Sequence, residues 1–138
     1  MLEKAIKIAV KAHKGQVDKA GMPYILHCFR VMLEGRSIDE MIVGVLHDVV
    51  EDTDYTLRDL AKAGFKTEIL EALQAITRNK DDTYSGFIQK CSENELARKV
   101  KSRDLKDNLN GGRFTTMTKK DEERMKKYGI ALRMLDLN

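Results

Sequence analysis

The 138-residue sequence contains one proline, no tryptophan and only 6% aromatic residues. This composition argues against a protein made of regular strands, which favour β-branched and aromatic side chains in alternation. Charged residues make up 34% of the chain, and no apolar run approaches the length that a membrane span needs. These features predict a soluble all-α protein, and the length predicts a single domain over residues 1–138.

The chain also has few cysteines and only a small net charge. Cys28 and Cys91 are the two cysteines and form no Cys-x-x-Cys pair, so we expect reduced, packed thiols rather than a disulfide framework or a zinc ribbon. The formal charge of +3 is compatible with an anionic substrate but does not indicate a nucleic-acid partner. Residues 1–6 are amphipathic and unlike a signal peptide, which favours a cytoplasmic protein without a membrane partner.

One stretch combines apolar residues with an imidazole and three carboxylates: Val45, Leu46, His47, Asp48, Val49, Val50, Glu51 and Asp52. The pattern predicts one central helix over about residues 39–52, capped by Ser37 or Asp39, with the polar groups on adjacent edges opposite an apolar face. No basic residue lies between Arg36 and Arg58. Uncompensated carboxylates on an apolar helix favour a bound cation; the alternative is a core histidine beside solvated acids.

Helical periodicity and stop signals predict further helices over about residues 2–13, 23–33, 56–64, 67–76, 84–91, 95–110 and 118–135. Pro23 is expected at the first helical position after a loop over residues 15–22, and Thr56 with Asp59 resembles a capping box. Gly111-Gly112 should close the helix over residues 95–110. The last, capped by Thr118 and Asp121, should pack across the bundle through Ile130, Leu132 and Leu135.

Two further polar residues lie on these predicted helices. Taken alone, His27 on the apolar second helix indicates a packed core histidine, and Asp104 indicates a surface acid beside basic neighbours. Asp104 and Asn108 are four residues apart, however, so both can face the same pocket.

The order of His27, His47-Asp48 and Asp104 resembles the ligand pattern of the HD phosphohydrolases, an all-helical superfamily that binds divalent metal. Three longer motifs, over residues 13–27, 46–53 and 100–104, resemble the hydrolase domain of the Rel/Spo family. The resemblance implies a single HD-domain helical bundle that removes the 3′-pyrophosphate from the alarmones ppGpp and pppGpp with manganese.

The resemblance also implies a role for each matching residue. The metal ligands would be His27, His47, Asp48 and Asp104. The residues that position and deprotonate the attacking water would be Glu51 and Asp52. A mixed imidazole and carboxylate set with open coordination sites suits manganese or iron better than a closed structural zinc. Asn108 would hydrogen-bond the nucleotide, and Lys19 or neighbouring basic side chains would neutralise phosphate charge.

The sequence departs from the Rel/Spo pattern at four positions: Asp18 in place of an Arg, Cys28 in place of a Pro, Leu105 in place of an Arg and Asp107 in place of a His. These departures keep two alternatives open. The first is an HD phosphohydrolase that acts on another phosphorylated nucleotide or metabolite, and the second is a non-catalytic, metal-dependent nucleotide-binding module. From the chain length we expect no alarmone synthesis, because a synthetase domain does not fit in 138 residues.

Overall fold

The computed structural model describes residues 1–110 and 117–136. These residues form nine helices, α1 to α9 in chain order: Leu2–Ala12, Ile25–Leu33, Ile38–Leu46, Val49–Asp52, Leu57–Lys62, Thr67–Ile76, Tyr84–Ser92, Glu95–Asn108 and Lys119–Asp136. Among them the only β-type pairing is an isolated bridge between Val17 and Pro23. The predicted all-α class is therefore confirmed, whereas the predicted stop at Gly111-Gly112 lies outside the described residues.

Helix α3 is the central element of the bundle. The Ser37 side chain accepts a hydrogen bond from the Glu40 amide and caps its first turn. The helix packs against α1, α2, α6 and α8. Six of its nine residues are buried because it has neighbours on several sides: Glu40, Ile42, Val43, Gly44, Val45 and Leu46. Helix α8 also contacts α2, α6, α7 and α9, so the two helices together hold the core.

The predicted continuous helix over residues 39–52 is wrong. Helix α3 ends at Leu46, a turn at His47 and Asp48 follows, and α4 covers only Val49–Asp52. The His47 imidazole donates to the Gly44 carbonyl, 2.6 Å away, which is the acceptor that the Asp48 amide would use in a continuous helix. The His47 side chain thus competes with the Asp48 amide for the Gly44 carbonyl. Competition of this kind interrupts the helical hydrogen bonds, and α3 ends here.

Pro23 does not occupy the first position of α2, as predicted, but lies two residues before it in the bridge with Val17. The predicted capping box is confirmed, because Thr56 and Asp59 exchange hydrogen bonds at the start of α5. Thr118 and Asp121 make the same exchange before α9. Helix α9 packs on α7 and α8, and its residue Leu135 is buried as predicted. Ile130 was predicted to pack inward, but it is 53% exposed.

Cys28 and Cys91 are free, buried thiols, as predicted. Burial raises the pKa of the Cys28 thiol to about 12, which makes it an unreactive packing residue. None of the helices within residues 1–110 and 117–136 combines the length and apolar character needed to cross a bilayer.

Candidate metal centre

Four side chains converge from α2, from the turn after α3 and from α8. They are His27, His47, Asp48 and Asp104, and each offers one nitrogen or oxygen atom such that all four atoms lie within 4.8 Å of one another. The two imidazoles and Asp104 are 97–98% buried, so this cluster is internal rather than a solvated surface group. The structure therefore brings together the four residues that the sequence assigned to a metal.

The His47 ring turns Nε2 toward the cluster and Nδ1 away from it. Its Nδ1 donates to the Gly44 carbonyl, so Nδ1 carries a proton. Its Nε2 lies 2.9 Å from Asp48 Oδ2 and 3.2 Å from Asp104 Oδ1. In the neutral ring, Nε2 is then the lone-pair nitrogen, and it faces the cluster as a metal ligand must.

His27 has the same orientation, with a different outer partner. Its Nδ1 donates to the carboxylate of Asp107 at 2.6 Å, and its Nε2 lies 2.9 Å from Asp104 Oδ1. Arg30 in turn donates to both oxygens of Asp107, from Nε at 2.8 Å and from Nη2 at 3.1 Å. From the sequence, Asp107 was noted only as a departure from the Rel/Spo pattern. Its spacing of three residues from Asp104 could have indicated that both face the same side of α8.

Asp104 is the most heavily bonded carboxylate of the cluster. The ammonium of Lys101 donates to Oδ2 at 2.8 Å, and the Asn108 amide donates to Oδ1 at 3.2 Å. Burial acts to raise the pKa of Asp104, but the charges of Lys101 and His47 outweigh it and hold the pKa well below its usual range. Asp104 is thus ionised at neutral pH, and sequence reasoning missed that Lys101 stabilises its charge.

Asp48 and Tyr24 form a second hydrogen-bonded pair, in which the tyrosine hydroxyl donates to Asp48 Oδ2. The Tyr24 ring is stacked on His13, with centroids 5.3 Å apart. Burial acts to raise the pKa of Asp48, but the His47 imidazole reverses this and lowers it to about 2. No role for Tyr24 was predicted, although its position three residues before His27 places both on one face.

The donor set suits a divalent ion. Burial acts to lower the pKa of His47, but the carboxylates of Asp48 and Asp104 raise it well above its usual value, so without a cation this imidazole is protonated. Imidazoles that bind a metal are neutral, so the four side chains would then carry a charge of −2, which one divalent cation would balance. Metal–nitrogen and metal–oxygen bonds of about 2.1 Å, as in zinc sites, allow ligand atoms to be at most about 4.2 Å apart. The observed limit of 4.8 Å needs only small side-chain shifts to meet this condition.

The two acids predicted to act on water lie at the exposed end of α4. Glu51 Oε1 accepts a hydrogen bond from the Arg78 backbone amide at 2.8 Å, which ties it to the loop after α6. Asp52 is exposed, but partial desolvation and the negative charges of Asp48 and Glu51 raise its pKa to about 6. A carboxylate with such a pKa can accept a proton near neutral pH.

A pocket of about 230 Å³ opens beside the cluster between the loop before α2 and the start of α9. Its walls include residues from the loop, the cluster and α9: Asp18, Lys19, Tyr24, His27, Asn108, Asp121, Arg124 and Tyr128. Both predicted substrate-binding residues, Lys19 and Asn108, line this pocket. Arg124 was not predicted as a pocket residue, since nothing in the sequence brings α9 to the loop after α1.

The chain shares sequence and fold with proteins of alarmone metabolism, although no protein-family model matches it. A GTP pyrophosphokinase of Myxococcus xanthus is 30% identical over 105 residues, which make up 72% of this chain and 14% of that protein. A guanosine-3′,5′-bis(diphosphate) 3′-pyrophosphohydrolase of Borreliella burgdorferi is 38% identical over 82 residues, 56% of this chain and 12% of that protein. A solved structure described as a metazoan ortholog of SpoT that hydrolyzes ppGpp superimposes with a TM-score of 0.77 at 21% identity, covering 97% of this chain and 84% of that one.

These similarities support a Rel/Spo HD-type hydrolase domain, as the motifs predicted. The chain spans less than a sixth of the length of the two sequence relatives just described.

Two of the Rel/Spo departures have a structural explanation. Asp18 Oδ1 accepts hydrogen bonds from the amides of Ala20 and Met22, so this carboxylate orders the loop beside the pocket. Asp107 binds His27 and Arg30. Nothing in the structure explains the change at Leu105 beyond its full burial.

Proposed function

We propose that this Rel/Spo domain is a cytoplasmic, manganese-dependent hydrolase that releases pyrophosphate from the 3′ position of ppGpp. The observation that carries the proposal is the buried convergence of His27, His47, Asp48 and Asp104 beside an open pocket. The names of the relatives support the substrate, since the Borreliella burgdorferi protein is a 3′-pyrophosphohydrolase of the guanosine bis(diphosphate).

The four clustered residues would hold the metal through His27 Nε2, His47 Nε2 and one oxygen each of Asp48 and Asp104. When bound, a divalent metal supplies a water of lowered pKa and stabilises negative charge on a phosphoryl oxygen. Asp52 would take the proton of the attacking water, because its carboxylate is solvent-accessible and has a pKa of about 6. Glu51, anchored on the Arg78 amide, would orient that water.

The pocket would hold one part of the nucleotide. Its volume of about 230 Å³ is below the roughly 300–1,000 Å³ of typical ligand sites, so the remainder of the molecule would extend over the rim. The Asn108 amide would hydrogen-bond the substrate in addition to Asp104, and Lys19 at the rim would meet a phosphate. Lys19 is ion-paired with Asp121 at 2.7 Å, so it would have to exchange that partner for the phosphate.

The test is incubation of the Mn²⁺-loaded protein with ppGpp, followed by separation of the products on an anion-exchange column. We expect GDP and pyrophosphate from the parent and none from Asp48→Ala. Asp54→Asn is the matched control, because this exposed acid lies near α4 outside the cluster and the pocket. Equal turnover by the parent and Asp48→Ala would refute the site.

A second candidate is hydrolysis of a less highly charged phosphorylated nucleotide. It is favoured by the charge at the pocket, where Lys19 and Arg124 both pair with Asp121 and where Asp18 adds a further negative charge. A panel of nucleoside mono-, di- and tetraphosphates separates the two substrates by kcat/KM. Binding of ppGpp by the metal-loaded protein without product over a long incubation would instead support a binding module.

A further inference from the structure

His27 and His47 have different outer partners, although both turn Nε2 to the cluster. His47 Nδ1 donates to a neutral backbone carbonyl of its own helix. His27 Nδ1 donates to a carboxylate on another helix, Asp107 of α8, whose side chain is 12% exposed. The orientation of His27 therefore depends on the packing of α2 against α8 and on one charged side chain.

Arg30 completes this arrangement. It lies in α2, three residues after His27, and its guanidinium donates to both carboxylate oxygens of Asp107. This two-point contact fixes the plane of the carboxylate as well as its position. It also balances the charge of Asp107, which would otherwise add to the charges of Asp48 and Asp104 nearby.

We propose that Asp107, held by Arg30, is a positioning residue that fixes His27 as an Nε2 ligand of the metal. The inference rests on the metal site of the proposed function. A charge-assisted hydrogen bond to Nδ1 keeps the proton on that nitrogen, makes Nε2 a stronger donor to a cation and prevents rotation of the ring. We expect Arg30 to act through Asp107, because among residues 1–110 and 117–136 its hydrogen bonds and its ion pair are with that carboxylate.

The alternative is that Arg30 and Asp107 form only a structural link between α2 and α8. Glu40 and Arg103 provide a matched control, since this ion pair of 2.6 Å joins α3 to the same helix α8 without contact to either histidine. A structural link predicts that Asp107→Asn and Glu40→Gln both lower the melting temperature and both leave metal affinity unchanged. A positioning role predicts that only Asp107→Asn weakens metal binding.

The experiment is titration of the metal-free full chain with Mn²⁺ in a calorimeter, together with thermal melts of each metal-free variant. Loss of such an outer partner typically weakens metal affinity about 10- to 100-fold, and we expect about 10-fold for Asp107→Asn because the amide keeps one acceptor. Glu40→Gln should bind Mn²⁺ like the parent. Arg30→Gln should weaken binding in the parent background and have no further effect when Asp107→Asn is present.

The outcomes separate this inference from the proposed function. Parent-like Mn²⁺ affinity in folded Asp107→Asn overturns the positioning role and leaves the metal site intact. Absence of Mn²⁺ binding by the parent overturns both. Weakened binding in Asp107→Asn, together with a parent that does not hydrolyse ppGpp, supports the positioning role and refutes only the proposed substrate.

Discussion

The backbone of Gly44 in α3 lies against the backbone of Met32 in α2. A methyl group added at Gly44 would be 3.1 Å from Met32 Cα and 3.2 Å from its nitrogen, closer than ordinary van der Waals contact. Neither atom can move without a shift of the whole helix. This contact sets the distance between α2, which carries His27, and the end of α3, which carries His47.

Gly44→Ala should therefore disturb both the fold and the metal centre. Overpacking of this kind costs about 1–3 kcal/mol, so we expect a lower melting temperature and weaker Mn²⁺ binding. Gly129→Ala is the control, because a methyl group there meets no atom within 4 Å. Unchanged melting and unchanged metal affinity in Gly44→Ala would show that α2 and α3 are not in contact at this point.

Metal removal should destabilise the domain measurably. A ligand present at 100 times its dissociation constant stabilises the native state by about 2.7 kcal/mol. Addition of a chelator to the Mn²⁺-loaded protein should lower the melting temperature, and excess Mn²⁺ should restore it. Asp48→Ala should show no such response, whereas Glu51→Ala should keep it and still lose most turnover.

The pH profile of turnover tests Asp52 as the base. The carboxylate must be deprotonated to accept a proton, so kcat/KM should fall as the pH decreases through its pKa of about 6. A bound cation near Asp48 lowers that value, so the acidic limb should lie at pH 6 or below. Asp52→Asn should bind Mn²⁺ normally and lose this limb with most of the rate. An identical profile in parent and Asp52→Asn would assign the base to another group.

The buried Glu40–Arg103 ion pair should make stability depend on pH. Burial acts to raise the pKa of Glu40, but the guanidinium of Arg103 and the Ser37 hydroxyl lower it below its usual value. This contribution to stability is complete above the unfolded pKa of about 4.3 and is lost as the pH falls through the lower folded value. Glu40→Gln should cost about 1–2 kcal/mol at pH 7 in denaturant melts, because it leaves Arg103 without its charged partner. The difference should shrink as the pH falls through the folded pKa of Glu40, and a constant difference across this range would contradict the assignment.

Lys101 should compete electrostatically with the metal while it stabilises the metal-free protein. Its buried ammonium donates to Asp104, a proposed metal ligand, whose charge raises the pKa of Lys101 despite burial. Lys101→Met should lower the melting temperature of the metal-free form, because Asp104 loses its partner. Added Mn²⁺ should then raise the melting temperature by more than in the parent, since the cation replaces the lost charge. If Mn²⁺ raises the melting temperature of Lys101→Met by no more than it raises that of the parent, Lys101 does not compete with the metal.

The helices and their caps could be predicted from sequence because they depend on short-range chemistry. Apolar spacing of three or four residues predicts a buried helix face, and the Thr56–Asp59 and Thr118–Asp121 exchanges are local. Motif order in the sequence likewise singled out His27, His47, Asp48 and Asp104. The turn at His47-Asp48 was not predicted, because the spacing of apolar residues does not reveal that the His47 side chain bonds the Gly44 carbonyl.

The sequence by itself determined the helical class, the apolar faces and the residue types able to hold a cation. Only the tertiary structure decided which nitrogen of each histidine faces the cluster, that Lys101 and Tyr24 bond its carboxylates, and that Arg124 reaches the pocket. Apart from Lys101, which is three residues from Asp104, and Gly44, which bonds His47 from three residues away, these partners are far apart along the chain. The meeting of Asp107 with His27 has the same origin, because 80 residues separate them and only the packing of α2 against α8 brings Asp107 Oδ2 within 2.6 Å of His27 Nδ1.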